Sequence, residues 1–222
     1  MTKIYKEFSE IKGQYVDEIQ GQDRFAYGTS DMDDFFEIED IIKHDGSYKG
    51  SVIRFYDYQT RNVYLPFGQK ENISYGRPIF IDGIFYILQV DFNEGLANIY
   101  KYYPGQILEK VFDYKIKDLS TYNLELIGND LHLISQDSEN LEIYYPYRKT
   151  LSLEANESVI LIDDGKVYIN RWIEEGWDDE KGRAGEDYSY YDKLIIKDFN
   201  SNIIEERIGN LYQRHDGTWW LA

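Results

Sequence analysis

The three histidines are the first residues to weigh for chemistry, and their settings give them little to do. His44 and His215 each precede Asp-Gly, a turn-forming pair, and His132 lies in an alternating apolar stretch. No His-x-His or His-Glu-x-x-His spacing occurs, so a zinc site has no ligand set to build on. Cysteine is absent, which removes thiolate metal sites, disulfides and a thiol nucleophile. The chain also lacks Gly-x-Ser-x-Gly, a P-loop and Gly-x-Gly-x-x-Gly. Asp31-Met32-Asp33 has the Asp-x-Asp spacing of some metal-dependent transferases, but acids at a helix start account for it. No catalytic residue, metal or cofactor is expected.

The more informative constellation is a run from Arg171 to Tyr191 that holds Trp172, Trp177, Tyr188, Tyr190 and Tyr191. Among them stand Asp178, Asp179 and Glu180, with glycines between. Aromatic faces beside carboxylates suit stacking on a sugar while binding its hydroxyls, or gripping Lys and Arg of a protein. The alternative is that the rings fold back over the domain as core. The binding residues expected are Trp172, Trp177, Asp178, Asp179, Glu180, Tyr190 and Tyr191. The segment 172–192 shows no period and reads as a long loop, a kind of segment that is usually functional or disordered.

The elements that must position these residues read as strands. Aromatics reach 17% of the chain, led by 22 Tyr, while Ala is scarce, a balance that favours pleated surfaces over helices. An apolar strand, a polar turn and a second strand recur at 79–87, 124–134, 159–169 and 211–221, with a weaker copy at 15–27. Asp82-Gly83, Asp164-Gly165 and Asp216-Gly217 supply hairpin turns. A second unit, an aromatic strand followed by a strand with scattered charges, follows at 52–67, 97–112, 141–153 and 193–208. The last hairpin has no such partner behind it, but Ile4-Tyr5-Lys6 repeats Ile99-Tyr100-Lys101. Residues 30–50 and 172–192 are insertions between paired hairpins. In the first, Ser30 with Asp33 resembles a capping box, Phe35, Ile38, Ile41 and Ile42 share a helical face, and Gly46 stops it. Phe36-Glu37-Ile38 also alternates as a strand would.

This pattern resembles the β-propeller proteins, of the five-bladed type with a blade shared between the termini. Spread over five blades, 222 residues give about 44 each, a usual repeat length. The Gly-His and Trp-Asp signature of the WD40 class is absent, and a β-sandwich or irregular barrel would show similar strands. The resemblance implies one domain over 1–222, four-stranded antiparallel blades, and a last blade closed by N- and C-terminal strands. It also implies that both insertions project from one face, flanking that last blade. Some five-bladed propellers are glycoside hydrolases, which need paired carboxylates near the inner strand starts; here Asp17 and Glu125 are nearest. Others are small animal lectins.

The net charge of −17 repels phosphate backbones and anionic lipid surfaces, so neither nucleic acid nor membrane is an expected partner. No apolar run has the length of a membrane span, and the first residues show no leader-like stretch, so a cytoplasmic location is expected. The function expected is that of a non-catalytic binding protein, engaging a protein partner, a basic one by charge, through its acidic aromatic face. A lectin-like glycan-binding propeller is the first alternative and a glycosidase the second.

Overall fold

The computed structural model describes residues 4–31, 34–178 and 181–222. The first sheet runs β1 (Asp17–Glu18), β2 (Phe25–Thr29), β3 (Ile53–Asp57) and β4 (Val63–Tyr64), with helix α1 (Phe35–Asp45) between β2 and β3. The second has β5 (Ile73–Tyr75), β6 (Ile79–Ile81), β7 (Ile84–Asp91), β8 (Leu96–Tyr103) and β9 (Ile107–Lys115). Both β5 and β6 pair with β7, so they are one inner strand broken at 76–78, where Pro78 has no amide hydrogen to give. The third is β10 (Glu125–Ile127), β11 (His132–Gln136), β12 (Asn140–Tyr145) and β13 (Lys149–Ser152). The fourth is β14 (Glu157–Asp163), β15 (Lys166–Asp178), β16 (Arg183–Asp198) and β17 (Ile203–Ile208). This is an all-β propeller arrangement of four-stranded antiparallel blades, with four blades formed. The hairpin β18 (Leu211–Gln213) and β19 (Trp219–Leu221) makes a further, two-stranded sheet.

Turn chemistry sets the registers. Asp82 and Gly83, like Asp164 and Gly165, have positive φ at both central positions, the backbone twist that joins antiparallel strands most tightly. A second device is an aspartate whose carboxylate accepts backbone N–H groups across a turn. Asp57 accepts from Gln59 and Thr60, Asp91 from Asn93 and Glu94, and Asp137 from Glu139 and Asn140. Asp198 does the same for Asn200 and Asn202. Part of the acidic excess is therefore turn structure rather than a binding field.

The chain forms two compact units, residues 1–126 with 214–218, and 127–213 with 219–222. The core of the first is largely aromatic: Phe25, Phe55, Phe85, Tyr75 and Tyr102 are buried together. Their rings meet edge-on or tilted, as Phe25–Phe85 at 5.5 Å and Phe55–Tyr102 at 4.7 Å. The second unit packs aliphatic side chains instead, among them Ile134, Leu141, Ile143, Val167 and Ile195.

The first insertion is helical, so the strand alternative falls, but its cap is not Ser30. Asp34 is the N-cap, accepting from the Glu37 amide at 2.7 Å while the Glu37 carboxylate accepts from the Asp34 amide. The Ser30 hydroxyl accepts from the Val52 amide at 2.8 Å instead, and Asp33 lies outside the described residues. Phe35 and Ile38 are buried, and the helix ends at Gly46. The second insertion is not a loop. It is the extended part of the hairpin β15–β16, paired from Trp172↔Asp192 to Asp178↔Arg183. At the N-terminus residues 4–16 form no strand; the Ser9 amide donates to the Arg61 carbonyl and the Phe8 ring meets Tyr56 at 5.1 Å and Tyr58 at 5.5 Å. No helix among the described residues is long and apolar enough to cross a membrane.

Candidate functional site

The β15–β16 ribbon outruns its blade. On one side β14 ends its pairing at Glu157↔Arg171, with one more bond from the Trp172 amide to the Asn156 carbonyl. On the other, β17 stops at Ile208↔Lys193, followed by the Gly209 amide donating to the Asp192 carbonyl. Beyond Trp172 and Asp192 two strands continue together, with both faces open to solvent.

The root of the ribbon is held by a charged cluster. The buried Glu157 carboxylate accepts from Lys197 Nζ at 2.7 Å and from Arg171 Nη2 at 2.5 Å, and Arg171 also reaches Glu154 at 2.9 Å. Burial alone would raise the Glu157 carboxyl, but the bonds from Lys197, the Glu154 amide and Arg171 outweigh it and hold it below its ordinary value. Asn170 Nδ2 donates to Asp192 Oδ1 at 3.0 Å, tying the two strands where they leave the sheet.

Side-chain alternation then sorts the ribbon's faces. Trp172 and Glu174 share one face with Tyr188 and Tyr190, since Glu174 pairs with Tyr190 and Trp172 with Asp192. By strict alternation Trp177 would point the other way. The register shifts between Glu175 and Trp177, however, and this bulge turns the indole back to the same face. Gly176 makes the bulge possible: it sits at φ 74°, and a Cβ there would stand 2.7 Å from the Asp187 carbonyl oxygen. The result is a row of rings, Trp172–Tyr190 at 6.4 Å, Tyr190–Tyr188 at 6.3 Å and Tyr188–Trp177 at 6.1 Å. Trp172 is 41% exposed, Trp177 46% and Tyr190 67%, so the row covers no core. The Tyr188 hydroxyl donates to Glu174 Oε1 at 2.6 Å, and this bond raises the phenol above its ordinary value, with burial adding to it.

Of the expected residues, Trp172, Trp177 and Tyr190 therefore come together. Tyr191 faces the other way, where its hydroxyl donates to Glu175 at 3.2 Å. Asp178 pairs with Arg183 through the ribbon's backbone register, and Asp179 and Glu180 lie outside the described residues. Tyr188, part of the aromatic run but not among the expected binding residues, and Glu174 belong to the row as well. The period of two in Tyr188, Tyr190 and Asp192, facing Trp172 and Glu174, was the signal that would have found them.

The carboxylates weighed for hydrolysis belong to the first unit, the ribbon to the second. Burial raises the Glu125 carboxyl, with Arg77 acting against it, while Asp17 acts electrostatically on the buried Tyr27. Among the described residues Asp17 and Glu125 share no hydrogen bond, and no group of His, Asp or Glu converges as a metal site. His132 Nδ1 bonds the Asp130 carbonyl oxygen at 2.9 Å and His44 Nδ1 that of Asp40 at 2.8 Å, both local turn or helix contacts.

No protein-family model matches the chain, and no curated protein matches it either.

Proposed function

We propose that this is a non-catalytic binding protein that grips a basic protein partner with the aromatic face of the β15–β16 ribbon. The observation that carries this is the exposed row Trp172–Tyr190–Tyr188–Trp177 with Glu174 in its midst. Rings held in a row by strand pairing present area without losing much conformational freedom on binding, and their π-faces attract Lys and Arg. Residues 172–192 carry eight acids against two bases, which steers a cation to those faces. Indole faces flanked by carboxylates also stack on sugars, so a glycan is the competing ligand.

The test is a titration of Lys/Arg-rich peptides and of a glycan array, followed by tryptophan fluorescence at low and high salt. Peptide binding that weakens with salt, and that loses about 2 kcal/mol or more in Trp172→Ala/Trp177→Ala, supports the reading. Salt-insensitive glycan binding lost in the same variant makes the protein a lectin instead. For catalysis, Asp17→Asn and Glu125→Gln are expected to change nothing; aryl-glycoside hydrolysis by the wild type, lost in either, would overturn the non-enzyme reading.

We also read β18–β19 as the inner hairpin of a fifth blade that residues 1–11 complete. What supports a blade position for this hairpin is its turn, 214–218, which lies against the β1–β2 turn, where a Cβ on Gly217 would stand 3.6 Å from Gly21 Cα; residues 1–11 are assigned to it by the repeat pattern alone.

A further inference from the structure

The ribbon has edges as well as faces, and their backbone groups are unequally used. The Trp172 amide and the Asp192 carbonyl both point away from the ribbon, into β14's and β17's tracks, because each is bonded there. Strand alternation repeats that outward direction every second residue, so the amides and carbonyls of Glu174 and Tyr190 also point outward. On β16 it extends to Tyr188. The Asp187 carbonyl oxygen turns inward toward Gly176, which aims the amide of the same peptide unit, that of Tyr188, outward. The β16 edge thus offers outward groups at both Tyr188 and Tyr190, in line with the track that β17 leaves at Ile208. The β15 edge offers only Glu174 before the bulge at Gly176 interrupts it.

We propose, resting on the ribbon being the partner-binding element, that the partner is taken as an extended strand added to the β16 edge at Tyr188 and Tyr190. The strand carries Lys or Arg at every second position. Backbone bonds to those two residues set its register. Its alternate side chains then lie beside the Tyr188 and Tyr190 rings and near Glu174, where cations are favoured twice over. The other residues of the strand pass Ser189 and Tyr191. A second copy of this chain is disfavoured as the occupant. Pairing two such edges brings together two ribbon segments that each carry a net −6 between residues 172 and 192. The same charge that blocks self-pairing draws a basic strand.

The probe is a short synthetic peptide with Lys alternating with Thr, compared with a version N-methylated at alternate backbone amides. N-methylation keeps the charge and removes the donors on one edge; both possible phases of methylation are made. Binding is read by tryptophan fluorescence, and amide exchange is read by NMR on the full-length protein. Strand addition expects one phase to weaken binding at least about tenfold and the other to have little effect. It also expects the Tyr188 and Tyr190 amides to exchange more slowly in the complex. If both methylated peptides bind as well as the parent, and those amides stay unprotected, strand addition is wrong while the aromatic-face reading stands. If neither this peptide nor any other Lys/Arg-rich peptide binds, both readings fall together.

Discussion

Asp57 has no solvent-exposed side-chain surface, yet it carries its charge. Burial would raise its carboxyl, but Arg24, reaching Oδ2 at 2.7 Å, and the Thr60 and Gln59 amides overcome this and bring it to about 2. A carboxyl depressed in the folded state stabilises the fold fully above its unfolded pKa and loses that contribution as pH falls through the folded one. From an ordinary 3.8 to about 2 the difference amounts to at most about 2 kcal/mol. Glu157 is depressed too and acts in the same direction. Stability should therefore hold from neutral pH to about pH 5 and fall between about pH 4 and pH 2. In Asp57→Asn, urea melts across that range should show a shallower fall. A second test is Lys197→Met, which leaves the buried Glu157 with only Arg171 and the Glu154 amide and should lower stability by about 3 kcal/mol. Adding Glu157→Gln should restore part of it, since the uncompensated charge is then gone. Neither cluster was legible in the sequence. An aspartate in a turn looks like surface charge, and Glu157 meets Lys197 across 40 positions, a separation no local pattern reveals.

At the scale of elements, what repeats was legible and what departs from repetition was not. The hairpins turning at Asp82-Gly83 and Asp164-Gly165 could be read because a period of two and a pair of positive-φ residues are local properties, whereas at Asp216-Gly217 only the glycine has positive φ. The helix cap was misplaced by one turn because Ser30 and Asp34 have equal capping chemistry, and only the tertiary bond from the Val52 amide to Ser30 decides between them. The ribbon was misread as a loop because its glycines suggest irregularity. Gly176 instead sits inside a strand as the pivot of a bulge, and Gly185 lies against it, where a Cβ would stand 2.7 Å from the Gly176 carbonyl oxygen. Gly176→Val should accordingly disorganise the row of rings without unfolding the blade. Near-ultraviolet circular dichroism should lose the part of its tryptophan signal that Trp172 and Trp177 contribute, while the melting temperature stays within a few degrees. A large fall in melting temperature would mean that the ribbon supports the sheet below it. The same measurement on Trp172→Ala/Trp177→Ala should show little loss of stability, because both rings are already exposed.

The proposed fifth blade makes the N-terminal residues matter beyond the sheet they touch. The repeat pattern assigns an outer partner to every hairpin but the last, β18–β19, and residues 1–11 are what we propose completes it. What residues 4–16 do form is a strap on the first sheet, with Phe8 against Tyr56 and Tyr58 and the Ser9 amide bonded to Arg61. Removing residues 1–11 thus has two consequences that must be separated. Loss of the strap alone should resemble Phe8→Ala, a partly buried ring worth about 1–2 kcal/mol, with cooperative unfolding kept. Loss of the proposed blade closure should do more, because it would leave the β18–β19 hairpin with an open edge. The truncated protein is then expected to aggregate or to unfold in more than one step, with hydrogen exchange fastest in 211–221. Chemical denaturation of the truncation beside Phe8→Ala decides between them. Equal midpoints and equal slopes would reduce the N-terminus to a strap and leave β18–β19 as a hairpin that needs no completion.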